Sequence, residues 1–238
     1  MIFAILFALV LQMFGTVAHA AISCGDVTAF NDATPTDPET IAYTTPSGSN
    51  QVLFVFVGNR RTISPNINVP THAGTTMTAV ASEAWVSPIA TRLFYLASPA
   101  GGTNNVVVDF VGAPLAGTVV IFTCSGVDTS SPIRASNSAT GTGTAVTVTV
   151  AGVLTGDVVL DLMATDIATT NPTIGASQTN LNTGNDGGEM GWGASQQAGA
   201  DGGAMSWTTS LSQEWAIAAV AIVPATTTRR NATPMVMQ

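Results

Sequence analysis

The sequence predicts an all-β chain, folded as an antiparallel, jelly-roll-like sandwich behind an N-terminal signal peptide. Three observations lead there. Short apolar and β-branched runs recur along the chain, turn residues separate them, and no apolar pattern with helical spacing follows residue 22. The first run, Gln51–Val57, is almost continuously apolar and stops at Gly58-Asn59, while Thr91–Ala97 stops before Pro99 and Gly101-Gly102. Asn105–Val111, Thr118–Cys124, Ala145–Val150, Val158–Ala164 and Trp215–Val223 continue the series. Strands spaced this way indicate a sandwich or barrel, and nothing alternates with them as crossover helices would.

Two of the runs carry directional information. In Trp215–Val223 both alternating faces are apolar, which marks a strand covered on both sides. In Val158–Ala164 one face carries Asp161 between Val159 and Met163, so Asp161 should meet solvent or a ligand unless it is paired. Asn31–Asn50 reads as turn-rich, a candidate exception to a single-domain chain at its N-terminal end, and the Gly141–Gly143 hairpin and the glycine-dense Gly184–Gly203 are expected as the long loops.

Residues 1–20 are read as the signal peptide. An apolar run from Ile2 to Leu11 is followed by Ala18, His19 and Ala20, which fit a small-x-small cleavage pattern, although no cation precedes the run. The sandwich is assigned to residues 21–225 and a flexible tail to 226–238. Export would leave no membrane span after processing and places the chain at a secreted or extracellular surface. In such a compartment Cys24 and Cys124 are expected to form a disulfide, with two buried free thiols as the alternative. Closing a loop of about a hundred residues would contribute roughly 4 to 5 kcal/mol in the chain-entropy view.

Composition excludes several functions. The formal charge is −8, all six cations are Arg, and no Lys occurs. Without a basic stripe the chain is not expected to bind nucleic acid, and without Lys it has neither a P-loop nor a Schiff-base nucleophile. Once the leader is removed His72 is the sole imidazole, expected in a solvated loop after Pro70, and no G-x-S-x-G occurs, so a serine triad is not expected. One His and two distant Cys do not make a zinc site.

Four Glu, at 39, 83, 189 and 214, show no paired spacing for glycoside hydrolysis. Calcium is the one metal the residues suggest, since Asn180, Asn182, Asn185, Asp186 and Glu189 gather oxygen donors in one glycine-rich stretch, without EF-hand spacing. The same residue types also build ordinary turns. No other cofactor is expected. For ligand binding, Trp192 stands out because Gly191 and Gly193 would leave its indole uncovered, and Trp85 near Pro88 is second. Trp207 and Trp215 are expected in the core.

The order of motifs QVLFVFVGN, TRLFYLASPAGGTNNVVVDF, CSGVDTSSPI and MSWTTSLSQEWAIAAVAIVPA resembles a poorly characterised extracellular β-sandwich domain of bacterial, phage and metagenomic proteins. The resemblance spans about residues 51–225 and rests on structural motifs, with Gly126, Asp128 and Pro132 in a tight loop whose Asp side chain bonds nearby amides. It implies a jelly-roll-like sandwich with a surface role and carries no catalytic residues. The expected function is therefore a secreted, non-enzymatic binding or structural module, with a glycan or a surface protein as its partner. A jelly-roll glycoside hydrolase and a virion or filament assembly subunit are the alternatives, the last joined through edge strands.

Overall fold

The structure is a computed structural model that describes residues 18–61 and 67–227. The expected signal peptide up to residue 17 and the tail from 228 lie outside the described residues. Among those residues the strands are β1 (Ala18–His19), β2 (Ser23–Asp32), β3 (Glu39–Thr45), β4 (Val52–Arg60), β5 (Thr71–His72), β6 (Thr75–Thr76), β7 (Thr78–Val86), β8 (Ile89–Ala97) and β9 (Gly102–Val108). They continue with β10 (Ala116–Ser125), β11 (Ile133–Thr149), β12 (Val158–Asp166), β13 (Thr173–Ile174), β14 (Gln178–Asn185), β15 (Met190–Ala198), β16 (Ala204–Ile222) and β17 (Thr226–Thr227). The fold is all-β, every pairing is antiparallel, and the sheets stack as a sandwich, as the strand series predicts.

Three sheets form the stack. A central sheet, ordered β2-β10-β4-β8-β7, lies between a small sheet β3-β9-β5-β6 and a large sheet β11-β16-β12-β15-β14. Val52, Phe54 and Phe56 of β4 face the large sheet, where they meet Leu160, Leu162, Val220 and Ile222. Leu53, Val55 and Val57 face the small sheet and meet Ile41, Tyr43, Val106 and Val108. Both faces of β4 are covered, which is why the strand has no polar alternation. Phe122 stacks on Phe54 at 5.6 Å between centroids and meets Phe56 edge-on at 5.0 Å, so the inner layer is keyed by aromatic contacts.

A fourth layer arises because the β11–β16 pair is longer than the sheet it belongs to. Pairing jumps from Gly143↔Gln213 to Ala145↔Thr208, leaving Thr209–Ser212 unpaired on one strand. Beyond this irregularity the pair folds over the outer face of the large sheet as a flap, with β13 alongside Trp207 and Thr208. Val146, Val148, Met205 and Trp207 of the flap cover Val159, Met163, Ile217 and Ala219. Asp161 lies beneath it, fully buried, and accepts the indole N–H of Trp207 at 2.8 Å. It is therefore paired, and faces neither solvent nor a ligand.

Four local expectations are corrected. Asn31–Asn50 contains β3, where Ile41, Tyr43 and Thr45 are buried and the residues between them are exposed. Gly141–Gly143 is the interior of β11, and the glycine-dense Gly184–Gly203 contains the buried strand β15. In both places glycine makes room for a tryptophan. A Cβ on Gly141 would stand 2.5 Å from the Trp215 ring, one on Gly184 2.4 Å from Trp192, and one on Gly193 2.5 Å from Trp207. Finally, His72 is fully buried in β5 opposite Val106, 3.5 Å from Thr45 Oγ1, and burial pushes its imidazole below the usual value.

Cys24 and Cys124 are disulfide-bonded directly across β2 and β10, with Cα atoms 4.0 Å apart and a sequence separation of 100. Ala18–His19, which lie just before the expected cleavage point, pair with Thr226–Thr227 at the start of the expected tail. The loop after β10 forms as the Gly126-Asp128-Pro132 reading requires. Asp128 Oδ1 accepts the amides of Ser130 and Ser131 and the Ser130 hydroxyl, and these bonds hold its carboxyl below the ordinary range.

Candidate functional site

The open side of the sandwich lies where β2, an edge of the central sheet, runs beside β3, an edge of the small sheet. A groove follows this seam. Its larger part, about 470 Å³, is lined by the start of β2, the end of β10 and the Pro46–Gln51 loop; its smaller part, about 390 Å³, lies between Asp26–Thr28 and Ala42–Thr44. Asp26 and Pro46 border both parts, so the two are continuous.

A bulge creates the site. Register slips between Ile121↔Thr28 and Thr123↔Gly25, so Asp26 and Val27 together oppose a single residue of β10. The extra residue puts Asp26 into the left-handed region, at φ 54°, and turns its exposed carboxylate toward the seam. Beneath it Tyr43 Oη and Thr123 Oγ1 share a 2.8 Å hydrogen bond. Burial raises the Tyr43 phenol above its usual value, the Thr123 bond opposes this, and the Asp26 charge adds to the rise. The phenol stays protonated at neutral pH and serves as a neutral donor or acceptor.

The other polar side chains of the lining are hydroxyls and amides, Ser23, Ser47, Ser49 and Ser125 with Asn50 and Gln51, set among glycines and the small apolar surfaces of Ala20, Val27, Ala42 and Pro46. No cation is among the lining residues, and Asp26 is their single carboxylate. Such a lining can exchange hydrogen bonds with a neutral polyol and would repel an anion. Its volume falls within the range of small-molecule sites, and its apolar contribution comes from these small surfaces rather than from exposed aromatic rings.

The residues singled out by sequence do not converge here. Trp192 is only 2% exposed: its indole packs among Ala84, Ile89, Ala116 and Ala216, and its N–H donates to Asn182 Oδ1 at 2.9 Å. The expected uncovered indole is thus corrected. Gly191 and Gly193 leave space on the opposite face of β15, for Ala168 and for the Trp207 ring. Trp85 is 50% exposed, but on β7, the far edge of the central sheet from β2.

The suggested calcium donors are also dispersed. Asn182 holds Trp192; Asn185 bonds Asn171 and the Gly187 amide; Asp186 Oδ1 caps the amides of Glu189 and Met190; Glu189 pairs with Arg60. Their oxygens point to different partners within a turn, an arrangement that does not fit a shared cation. Arg60 also pairs with Asp166 at 2.5 Å, so this end of the sandwich is closed by an ion-pair network.

Sequence reading missed Asp26, Tyr43 and Thr123. The positions were visible, but a carboxylate in a mixed stretch such as Gly25-Asp26-Val27 gives no sign of a bulge, and Tyr43 and Thr123 meet only through tertiary pairing. No family model, curated protein or solved structure matches the chain. Among the described residues no helix is long and apolar enough to cross a membrane.

Proposed function

We propose that the protein is an exported, non-enzymatic surface module that binds neutral, hydroxyl-rich ligands, carbohydrate chains above all, in the seam between β2 and β3. The observation that carries this reading is the lining: hydroxyls, amides and one carboxylate at a bulge, with no cation. Acid–base hydrolysis of a glycoside calls for two carboxylates facing across the bond, and the lining supplies one. The disulfide and the likeness to extracellular sandwich domains support export.

The one aromatic of the lining, Tyr43, is almost wholly buried, so a sugar has no ring face to stack on. Binding then rests on hydrogen bonds, each with a net worth of about 1 kcal/mol. Four such bonds give about 4 kcal/mol, a Kd on the order of 1 mM for a single site. An affinity of that order suits a module displayed in many copies, where linked binding events multiply.

The test is a titration of neutral oligosaccharides followed by amide chemical shifts. Shifts should map to residues 23–28, 43–51 and 123–126, and Asp26→Asn, which keeps a side chain suited to the left-handed backbone at this position, should weaken them at least threefold without lowering the melting temperature. Saturable binding that maps instead to the Trp85 edge, or binding unaltered in Asp26→Asn, would overturn the assignment.

A further inference from the structure

The outer face of the large sheet holds a buried constellation that the groove does not use. Ser195 Oγ donates to Asp161 Oδ1 at 2.6 Å, and the Ser195 amide donates to the same oxygen at 2.9 Å. With Trp207 on the other carboxylate oxygen, Asp161 is held rigidly toward the hydroxyl. On the far side of that hydroxyl, Gln178 Nε2 from edge strand β14 approaches to 2.7 Å. The carboxamide oxygen of Gln178 accepts the Ser206 amide at 2.8 Å and the Ser206 hydroxyl at 3.4 Å. Ser195 and Asp161 are both fully buried.

These are the parts of an acyl transfer: a hydroxyl in contact with a base, an amide beside the hydroxyl, and donors already on the oxygen that would gain negative charge. We propose that Ser195 and Gln178 join as an intramolecular ester, with Asp161 as the base and Ser206 as the oxyanion donor. Ser195 Oγ bonds to Gln178 Cδ while its proton passes to the Asp161 carboxylate. The Cδ–N bond then breaks, and the nitrogen leaves as ammonia with that proton, which returns Asp161 to its starting form. No oxidant, reductant or second substrate enters.

Two further features favour the step. Burial pushes the Asp161 carboxyl up to about 7, against the pull of its donors, and a base that titrates near neutrality is well matched to proton transfer. Gly175 lies against the amide: a Cβ there would stand 2.6 Å from Gln178 Oε1 and 2.1 Å from Ser206 Oγ, so only glycine lets the carboxamide seat. The nucleophile and the base are shielded from bulk water beneath the flap, while Gln178 and Ser206 are half-buried, which leaves the departing ammonia a short way out. The ester would tie the edge strand β14 to β15, locking the border of the large sheet against peeling. None of this depends on a ligand in the groove.

Intact-mass spectrometry of the full chain tests it. After the two hydrogens lost to the disulfide are counted, the folded protein should be light by one ammonia, about 17 Da. Peptide mapping should place the deficit in a linked pair containing Gln178 and Ser195, and alkaline hydroxylamine should cleave the link. Ser195→Ala and Gln178→Ala should each show no deficit. Asp161→Asn keeps nucleophile and amide, and should form the link at least tenfold more slowly. Folded wild-type protein that keeps its full mass after days at neutral pH would overturn the proposal, as would a deficit that survives in Gln178→Ala.

Discussion

Gly193→Ala should destabilise the protein far more than its single added methyl suggests. The new Cβ would lie 2.5 and 2.6 Å from Cζ3 and Cη2 of Trp207, closer than non-bonded carbons approach. Trp207 cannot slide freely, because its ring is 2% exposed beneath the flap and its N–H is committed to Asp161. Overpacking of a filled core costs about 1–3 kcal/mol, and leaving the buried indole N–H and the Asp161 Oδ2 atom without each other costs about 1–3 more, Oδ1 keeping its Ser195 donors. The total of about 2–6 kcal/mol corresponds to a melting temperature lower by about 5–20 °C in a domain of this size. Urea and thermal unfolding followed by Trp emission would measure it. Gly101→Ala is the control, since no atom lies within 4 Å of its added Cβ, and it should stay within about 0.5 kcal/mol of wild type. Trp207→Leu should relieve most of the Gly193→Ala penalty, because the clash is with the ring. Equal unfolding of Gly193→Ala and Gly101→Ala would refute the packing account.

Stability should also depend on pH through two buried groups of opposite sign. The folded Asp161 carboxyl is raised to about 7 from 3.8, so the unfolded chain releases its proton first. Its contribution is complete below the unfolded value and is lost as pH climbs through about 4 to 7, by as much as about 4 kcal/mol. His72 is lowered by burial, so its effect runs the other way: stability falls as pH drops below its ordinary 6.5. Asp161→Asn does not titrate, so the unfolding free energy of wild type minus that of Asp161→Asn isolates the first group and should fall steadily from about pH 4 to 7; a pH-independent difference would count against it. Reduction of Cys24–Cys124 should lower unfolding free energy by about 2–5 kcal/mol, visible as a shifted urea midpoint with dithiothreitol.

The large strands were legible because periodicity reports how many faces of a strand are covered. Gln51–Val57 and Trp215–Val223 lack polar alternation, and β4 and β16 are indeed interior strands of their sheets. Glycine misled the reading at Gly141, Gly184 and Gly193. Its usual meaning is a turn, yet these three lie within strands, each beneath an indole from a neighbouring segment. Trp192 is the same case: flanking glycines suggest an uncovered ring, whereas the ring is seated over Gly184 of the adjoining strand.

What the sequence determined by itself was local: the β class, the covered strands, the Asp128 turn, and two cysteines one hundred residues apart whose pairing an oxidising compartment would favour. These follow from side-chain period and turn chemistry, which act over a few residues, or from residue counts. Only the tertiary structure decided which strands meet. It set the β2–β3 seam with its Asp26 bulge, the flap over the large sheet, and the meeting of Gln178, Ser195, Asp161 and Ser206 from four separate segments. Antiparallel pairing joins residues far apart in the chain, and register, which no single strand encodes, fixes which of their side chains touch.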